Sequence, residues 1–187
     1  MHLWPFAFSR IKATELMNTL QTDIPWRQET LCIAGQQRLV PRLQCWMGDP
    51  GTIYGYSGMR LEPEPWSDVV LDIRSRAEQL SGQRFNSVLL NLYRDEQDSV
   101  AWHSDDEKEL GSDPLIASVS LGSERPFELK SRQTGIREKR RILLPDGSVL
   151  LMGNGIQTHW QHQLPKVKTP LKPRINLTFR TVLTVVS

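Results

Sequence analysis

Apolar residues recur with a helical period in two segments of the first half of the chain. The segment Ser9–Leu20 carries apolar residues at helical spacing and stops before Pro25. A second segment begins near Ser67, a residue type that caps helix N-termini, and closes at Gly82. Its apolar positions share that spacing and are Val69, Val70, Ile73, Ala77 and Leu80. The pattern therefore predicts two helices.

After Gly82 the pattern changes to short β-rich runs separated by turn residues. The predicted strands are Phe85–Tyr93, Ser99–His103, Leu115–Leu121, Pro126–Lys130, Arg140–Leu144, Ser148–Met152, Thr158–Leu164 and Arg174–Val182. The polar stretch Ser131–Lys139 between two of them is predicted to be a hairpin tip. Successive strands without intervening helices indicate a mainly β fold, a sandwich or jelly roll, with the two helices packed on one face.

Length and composition restrict the classes of protein that remain. The 187 residues, 39% of them apolar and 24% charged, predict a single domain over residues 1–187. Two cysteines, Cys32 and Cys45, form neither a disulfide framework nor a four-cysteine zinc site, and they fit a reducing cytosol. No stretch has the roughly 20 apolar residues of a membrane span. The net charge of +2 permits a nucleic-acid partner without requiring one.

Two histidines and one aspartate have the chemistry of a metal site. His103 and Asp105 are two residues apart, and in an extended segment such residues face the same way, so both can reach one metal; a surface pair is the alternative interpretation. Of two later histidines, His162 shares the apolar face of its predicted strand, whereas His159 falls on the outer face. Two histidines and one carboxylate leave coordination positions open, as non-haem Fe(II) requires.

The segment Arg174–Arg180 alternates strictly between polar and apolar residues. By pattern alone its polar face, which carries Arg174, Asn176, Thr178 and Arg180, is expected to lie in water. The alternative is an inward polar face, because an arginine can clamp a dicarboxylate with two hydrogen bonds. Asn91 and Tyr93 share one face of an earlier strand and could bind the same ligand.

Five segments taken together resemble the AlkB family: Asn91–Asp95, Trp102–Glu107, Ile116–Gly122, Trp160–His162 and the RINLTFR segment 174–180. Their order and spacing match from about Pro41 to Val182, and RINLTFR is the most specific of them. The chain resembles in particular the animal AlkB homologues that act on 1-methyladenine and 3-methylcytosine. The resemblance implies a double-stranded β-helix (a cupin-like jelly roll) that uses Fe(II) and 2-oxoglutarate for oxidative dealkylation and releases aldehyde, succinate and CO₂.

By position, the resemblance implies that His103, Asp105 and His162 bind iron. It assigns the distal carboxylate of 2-oxoglutarate to Arg174 and further contacts to Asn91, Tyr93, Asn176, Thr178 and Arg180, and Arg180 also steadies Asp105. Trp46, Tyr54, Tyr56 and Asp106 correspond to substrate contacts. The alternatives are that Trp46 lies in the core, that the tyrosines pack a turn and that Asp106 belongs to a solvated turn. Residues 1–84 are then a substrate-recognition and helical part, and residues 85–187 the catalytic core.

The expected partner is alkylated DNA or RNA, bound by a monomer in the cytoplasm, or in the nucleus if the source is eukaryotic. An acidic residue such as Asp106 would favour methylated bases, because these carry positive charge. Arg132 and the basic run 137–141 could hold phosphates, or the run could be a solvated loop. Two alternatives remain open: an oxygenase with the same iron and co-substrate that acts on a protein or small molecule, and a non-catalytic jelly-roll binding module.

Overall fold

The computed structural model describes residues 1–33, 35–52, 54–56, 59–153 and 155–183. The helices are α1 (Arg10–Asp23), α2 (Asp68–Ser81) and the short α3 (Ile156–His159), with a 3₁₀ turn at Lys108–Leu110. The strands are β1 (His2–Trp4), β2 (Thr30–Ile33), β3 (Gln36–Leu39), β4 (Leu43–Gly48), β5 (Tyr54–Tyr56), β6 (Met59–Leu61), β7 (Ser87–Tyr93), β8 (Val100–His103), β9 (Ile116–Gly122), β10 (Arg125–Ser131), β11 (Lys139–Leu144), β12 (Ser148–Met152), β13 (Trp160–Leu164) and β14 (Arg174–Arg180).

Two antiparallel sheets form the body of the fold. The major sheet has the strand order β1-β12-β9-β14-β7-β4, and the minor sheet has the order β11-β10-β13-β8. Side chains from both sheets line one pocket, so the sheets face each other as in a jelly roll. The predicted mainly β jelly roll with flanking helices is confirmed.

Strand β14 occupies an inner position of the major sheet and pairs along its length with β7 on one side and with β9 on the other. Asn176 lies opposite Asn91 in β7 and opposite Ser120 in β9. Because side chains alternate between the two faces of a strand, this register directs the polar residues of all three strands to the same face.

The two helices cover the other face of the major sheet. Helix α1 begins after Ser9, whose side chain accepts a hydrogen bond from the backbone N–H of Lys12, and α2 ends at Gly82, where φ is 68°. The buried side chains of both helices belong to one apolar cluster with those of the sheet, among them Leu16, Leu20, Ile73, Leu90, Val119 and Leu177. The predicted helices are confirmed, and this covering makes the inner strands of the major sheet inaccessible from outside.

The predicted strands after Gly82 are confirmed with shifted ends in several cases. Residues 131–139 connect the paired strands β10 and β11, as predicted for a hairpin tip. The prediction of a strand from Thr158 was wrong at its start, because residues up to His159 form a helical turn and the strand begins at Trp160. Ser67 precedes α2 as predicted, but its side chain makes no capping hydrogen bond.

The sequence pattern missed the strands before α2. Two of them, β1 and β4, join the major sheet through β12 and β7, so the sheet draws strands from both sides of the predicted division after residue 84. That division into a recognition part and a core remains a prediction. None of the helices in the described ranges is long and apolar enough to cross a membrane.

Candidate metal centre and anion pocket

His103, Asp105 and His162 converge at one end of the pocket between the sheets. His103 ends β8 and pairs in register with His162 of β13, which places the imidazole centroids 4.2 Å apart. One oxygen of Asp105 lies 3.7 Å from Nε2 of His103, and the other lies 3.9 Å from Nε2 of His162. The potential ligand atoms of the three residues all lie within 4.8 Å of one another. A single metal ion can therefore contact all three.

The protonation states of the buried members suit a metal. Burial alone would raise the pKa of Asp105, but the charges of Arg180 and the two histidines lower it to about 2. Arg180 contributes directly, since its Nη2 donates a hydrogen bond of 3.0 Å to Oδ1 of Asp105. Burial lowers the pKa of His162 to about 3, with His103 as the next cause. An ionised carboxylate and a neutral imidazole are the forms that bind a metal ion.

The contact made by Nδ1 of His103 also favours metal binding at this site. Its Nδ1 lies 2.8 Å from the carbonyl oxygen of Ala101, a distance that fits an Nδ1–H donor. With the proton on Nδ1, the lone pair of Nε2 points toward Asp105 and is free to bind a metal. The donor set of two imidazoles and one carboxylate fits non-haem Fe(II), because it leaves positions for further ligands.

The polar face of the major sheet lines the pocket from Arg180, which contacts Asp105, to Arg174 at the other end. All seven residues of β14 are buried, so the expectation that its polar face lies in water was wrong. Ile175, Leu177 and Phe179 pack against the helices, and the opposite face therefore lines the pocket. The polar residues that line it from the major sheet are Asn91, Tyr93, Ser118, Arg174, Asn176, Thr178 and Arg180.

Arg174 is a buried cation that lacks a carboxylate partner among the described residues. It is 2% exposed, its Nη2 donates to Oγ of Ser120 at 2.8 Å, and its charge lies 5.5 Å from the ring of Tyr93. Burial lowers its pKa to about 10, which leaves it charged near neutral pH. Its Nε has no hydrogen-bond partner within the described part of the chain. A buried charge is costly unless it is paired, so this end of the pocket fits an anion such as a carboxylate.

The β4 region adds one pocket residue, Arg42, and one residue that contacts the pocket residue Asn91, Gln44, and the sequence analysis missed both. Arg42 just precedes β4, and its Nε donates to Oδ1 of Asn91 at 2.7 Å, while Nε2 of Gln44 donates to the same oxygen at 3.0 Å. Arg42 also donates to the carbonyl oxygen of Ser99. Both residues are 5% exposed. The spacing of two residues between Arg42 and Gln44 was the available signal. Because β4 was not predicted, that spacing could not be interpreted as a shared strand face.

The predicted substrate residues lie in different surroundings. Trp46 is 4% exposed and clusters with Leu89, Leu110 and Val182, so a base could reach its ring only if these neighbours moved. Tyr54 and Tyr56 lie in β5, paired with β6, and their side chains lie outside what the structure describes. The roles of these residues in base contact remain predictions.

Asp106 follows Asp105 in the chain and lies on the exposed side of the cluster. Its side chain is 56% exposed and accepts a hydrogen bond of 2.8 Å from Nη1 of Arg132. Within the basic run, Arg140 pairs with Glu138 and stacks on Trp160. His159 lies exposed in α3. The geometry therefore groups His162, and not His159, with His103 and Asp105.

Comparisons with known proteins agree with this site. The sequence pattern of the 2OG-Fe(II) oxygenase superfamily matches residues 1–180. The alpha-ketoglutarate-dependent dioxygenase alkB homolog 3 of Homo sapiens is 40% identical over 188 residues, which cover 96% of this chain and 65% of that protein. The DNA oxidative demethylase ALKBH2 of Bos taurus is 39% identical over 185 residues, which cover 94% of this chain and 66% of that protein.

The chain thus spans only 62% to 65% of the length of its alkB homolog 3 relatives. Two solved structures share the fold at low sequence identity. That of OsALKBH1 has a TM-score of 0.62 at 15% identity and covers 96% of this chain and 97% of its own. That of a 2OG-Fe(II) oxygenase family oxidoreductase from Burkholderia pseudomallei has a TM-score of 0.63 at 14% identity and covers 97% and 86%.

Proposed function

Because this chain belongs to the 2OG-Fe(II) oxygenase superfamily, we propose that it removes alkyl groups oxidatively from N-alkylated nucleic-acid bases of the 1-methyladenine and 3-methylcytosine type. The observation that carries the proposal is that one pocket contains both a His-Asp-His cluster and a buried arginine, Arg174, which has no carboxylate partner among the described residues. The 39% identity to a protein named DNA oxidative demethylase supports the choice of substrate class.

The residues divide into a metal set and a co-substrate set. His103, Asp105 and His162 would hold Fe(II). Arg174 would bind the distal carboxylate of 2-oxoglutarate, and Arg180 would hold Asp105 in its charged form. The remaining co-substrate contacts would come from Asn91, Tyr93, Asn176 and Thr178. Bound together, Fe(II) and 2-oxoglutarate supply the power to activate O₂ for hydroxylation of the N-alkyl carbon, with release of succinate and CO₂.

The side chains of the pocket would bind the co-substrate, fix its orientation and keep water away from it. Arg174 offers a buried positive charge in the pocket wall, so it would bind one carboxylate of 2-oxoglutarate and thereby fix the orientation of the co-substrate. Apolar side chains cover the space between the charged ends and limit access of water to the reacting groups: Leu89, Phe127, Leu144, Met152 and Leu164. The hydroxylated alkyl group then leaves as an aldehyde and restores the base, a step that needs no general base from the protein.

The alkylated nitrogen lies on the pairing edge of its base, so the base must leave the stack to reach the metal. Tyr54 and Tyr56 would contact the extruded base, and Trp46 would do so after its neighbours Leu89, Leu110 and Val182 move. Asp106 would attract its positive charge, and Arg132 beside it would offset part of that attraction. Nucleic acid as the partner, the monomeric state and the cytoplasmic or nuclear location remain predictions.

The test measures repair and co-substrate turnover in one reaction. The protein is incubated with Fe(II), O₂, 2-oxoglutarate and an oligonucleotide that contains 1-methyladenine or 3-methylcytosine, as a single strand or as a duplex. We expect repaired base and succinate in equal amounts, and neither product from the His103→Ala variant. Succinate release without repair would contradict the proposal and favour an oxygenase that acts on a protein or small molecule. A folded protein that releases no succinate would favour a binding module.

A further inference from the structure

The two segments that carry the metal set are tied to each other next to the site. The segment with Asp105 donates twice to the segment that leads into His162. Oγ of Ser104 donates to the carbonyl oxygen of Trp160 at 2.9 Å, and the backbone N–H of Asp105 donates to Oε1 of Gln157 at 3.0 Å. These contacts join residues that lie more than fifty positions apart in the chain. They fix where Asp105 sits relative to His162.

The contact through Gln157 is the buried one. Gln157 lies in α3, is 1% exposed, and its Nε2 meets only Sδ of Met152 at 4.0 Å among the described residues. A buried amide oxygen strongly favours its hydrogen-bonded position, because no water replaces a lost partner. Two hydrogen bonds therefore fix Asp105: its backbone N–H donates to Gln157, and its carboxylate accepts from Arg180.

A parallel link on the outside of the site is weaker. Arg132 donates to the carbonyl oxygen of Gln157 at 3.3 Å and to Asp106 at 2.8 Å, so it also joins the two segments. Its side chain is 41% exposed and that of Asp106 is 56% exposed. Solvent screens such a pair, and its contribution is small. The buried contact of Gln157 therefore holds the backbone of Asp105 more strongly than the exposed link through Arg132 does.

We propose that Gln157 is a positioning residue for the metal centre, which holds the backbone of Asp105 so that its carboxylate meets both imidazoles. The residue touches neither metal nor co-substrate, and it acts through Asp105. Partners of this kind matter because a metal ion tolerates little displacement of its ligands. The proposal deepens the metal site on which the proposed function rests, but it does not depend on the identity of the substrate.

The variant that tests it is Gln157→Met, which keeps the length of the side chain and removes the acceptor oxygen. Its matched control is Gln163→Met, because Gln163 lies in the adjacent β13 and donates to Glu128 at 2.7 Å, away from Asp105. Affinity for Mn(II) and, without oxygen, for Fe(II) is measured by titration calorimetry in the absence of nucleic acid and 2-oxoglutarate. We expect Gln157→Met to bind metal about 10–100-fold more weakly, as for other outer partners of ligands.

We expect Gln163→Met to bind metal as the wild type does. Wild-type affinity in folded Gln157→Met would overturn the proposal, and so would a lower melting temperature of the metal-free variant with unchanged metal affinity. If Gln157→Met does not fold, Gln157→Asn withdraws the oxygen by one methylene group and carries the same expectation. Since the readout is metal binding, a failure here is distinct from a failure to repair nucleic acid.

Discussion

The two ends of the pocket differ in how far they are shut off from solvent. At the metal end, the side chain of His103 is 28% exposed, and the exposed pair of Asp106 and Arg132 lies next to it. At the anion end, Arg174 is 2% exposed within a strand whose seven residues are all buried. The difference follows from the layers, because helices cover the major sheet whereas five of the six residues in β11 of the minor sheet are only partly buried or exposed.

This contrast assigns different tasks to the two sheets. The major sheet provides fixed charge in a region from which water is excluded, where an electrostatic contact is strong. The minor sheet contributes His103 and His162, and Asp105 follows β8, so this cluster lies at the more exposed end of the pocket. A co-substrate that binds first at the deep end would therefore leave the metal end accessible to a base.

The largest effect is expected from breaking the metal end. His162→Ala should lose bound iron and all measurable turnover, whereas His159→Ala, in the exposed turn just before β13, should keep both. Loss of an outer partner alone costs about 10–100-fold in metal affinity, so loss of a ligand should exceed 100-fold. Metal content after dialysis and succinate release measure the two variants. Retained iron in His162→Ala with loss in His159→Ala would refute the assignment of the ligand.

A smaller effect is expected from breaking the anion end. Arg174→Ala should raise the KM for 2-oxoglutarate roughly 100-fold, since truncating one partner of a buried charge pair costs about 2–5 kcal/mol. Metal affinity without 2-oxoglutarate should stay at the wild-type level, because Arg174 does not touch the metal set. Arg84→Ala, at a side chain that is 90% exposed, is the control. An unchanged KM in Arg174→Ala would show that the dicarboxylate binds elsewhere.

The smallest effect is expected at the exposed rim of the metal end. Asp106→Asn should change the free energy of unfolding by less than about 1 kcal/mol, because its pair with Arg132 is exposed. It should raise the KM for a methylated oligonucleotide by about fivefold, as the loss of roughly 1 kcal/mol of attraction predicts. Asp72→Asn, at a side chain that is 72% exposed on α2, is the control and should leave that KM unchanged. Equal KM values in the two variants would remove Asp106 from the substrate site.

The same contrast explains what the sequence could predict. The grouping of His103, Asp105 and His162 was predicted from the spacing of the first two, from the apolar face that His162 shares, and from the resemblance of the surrounding segments to a known family. The polar face of β14 was first placed in water, since alternation states which residues share a face but not what covers the other face. The helices share an apolar cluster with Ile175 and Leu177 on one face, and the minor sheet encloses the pocket on the other, so both faces are buried.

Other site residues were not predicted because the periodic sequence pattern around them is irregular. Arg42 and Gln44 belong to a strand region with the run Leu43–Met47, in which one polar residue stands among apolar ones and period two is hard to see. Gln157 lies in a helical turn that the alternation of the following strand concealed. Its role depends on a contact with Asp105, 52 positions away, and local pattern contains no information about such distant partners.

Because β14 pairs with a strand on each side, insertions and deletions within it should be tolerated less well than substitutions. Substitutions at single positions alter one group and leave the others where they are. A deletion or insertion of one residue within Arg174–Arg180 would rotate every later side chain by half a turn, and the guanidinium of Arg180 would face the helices instead of Asp105. The hydrogen bonds of β14 to both β7 and β9 would prevent the strand from restoring its register locally. We therefore expect insertions and deletions to be tolerated in the loops and not in this segment.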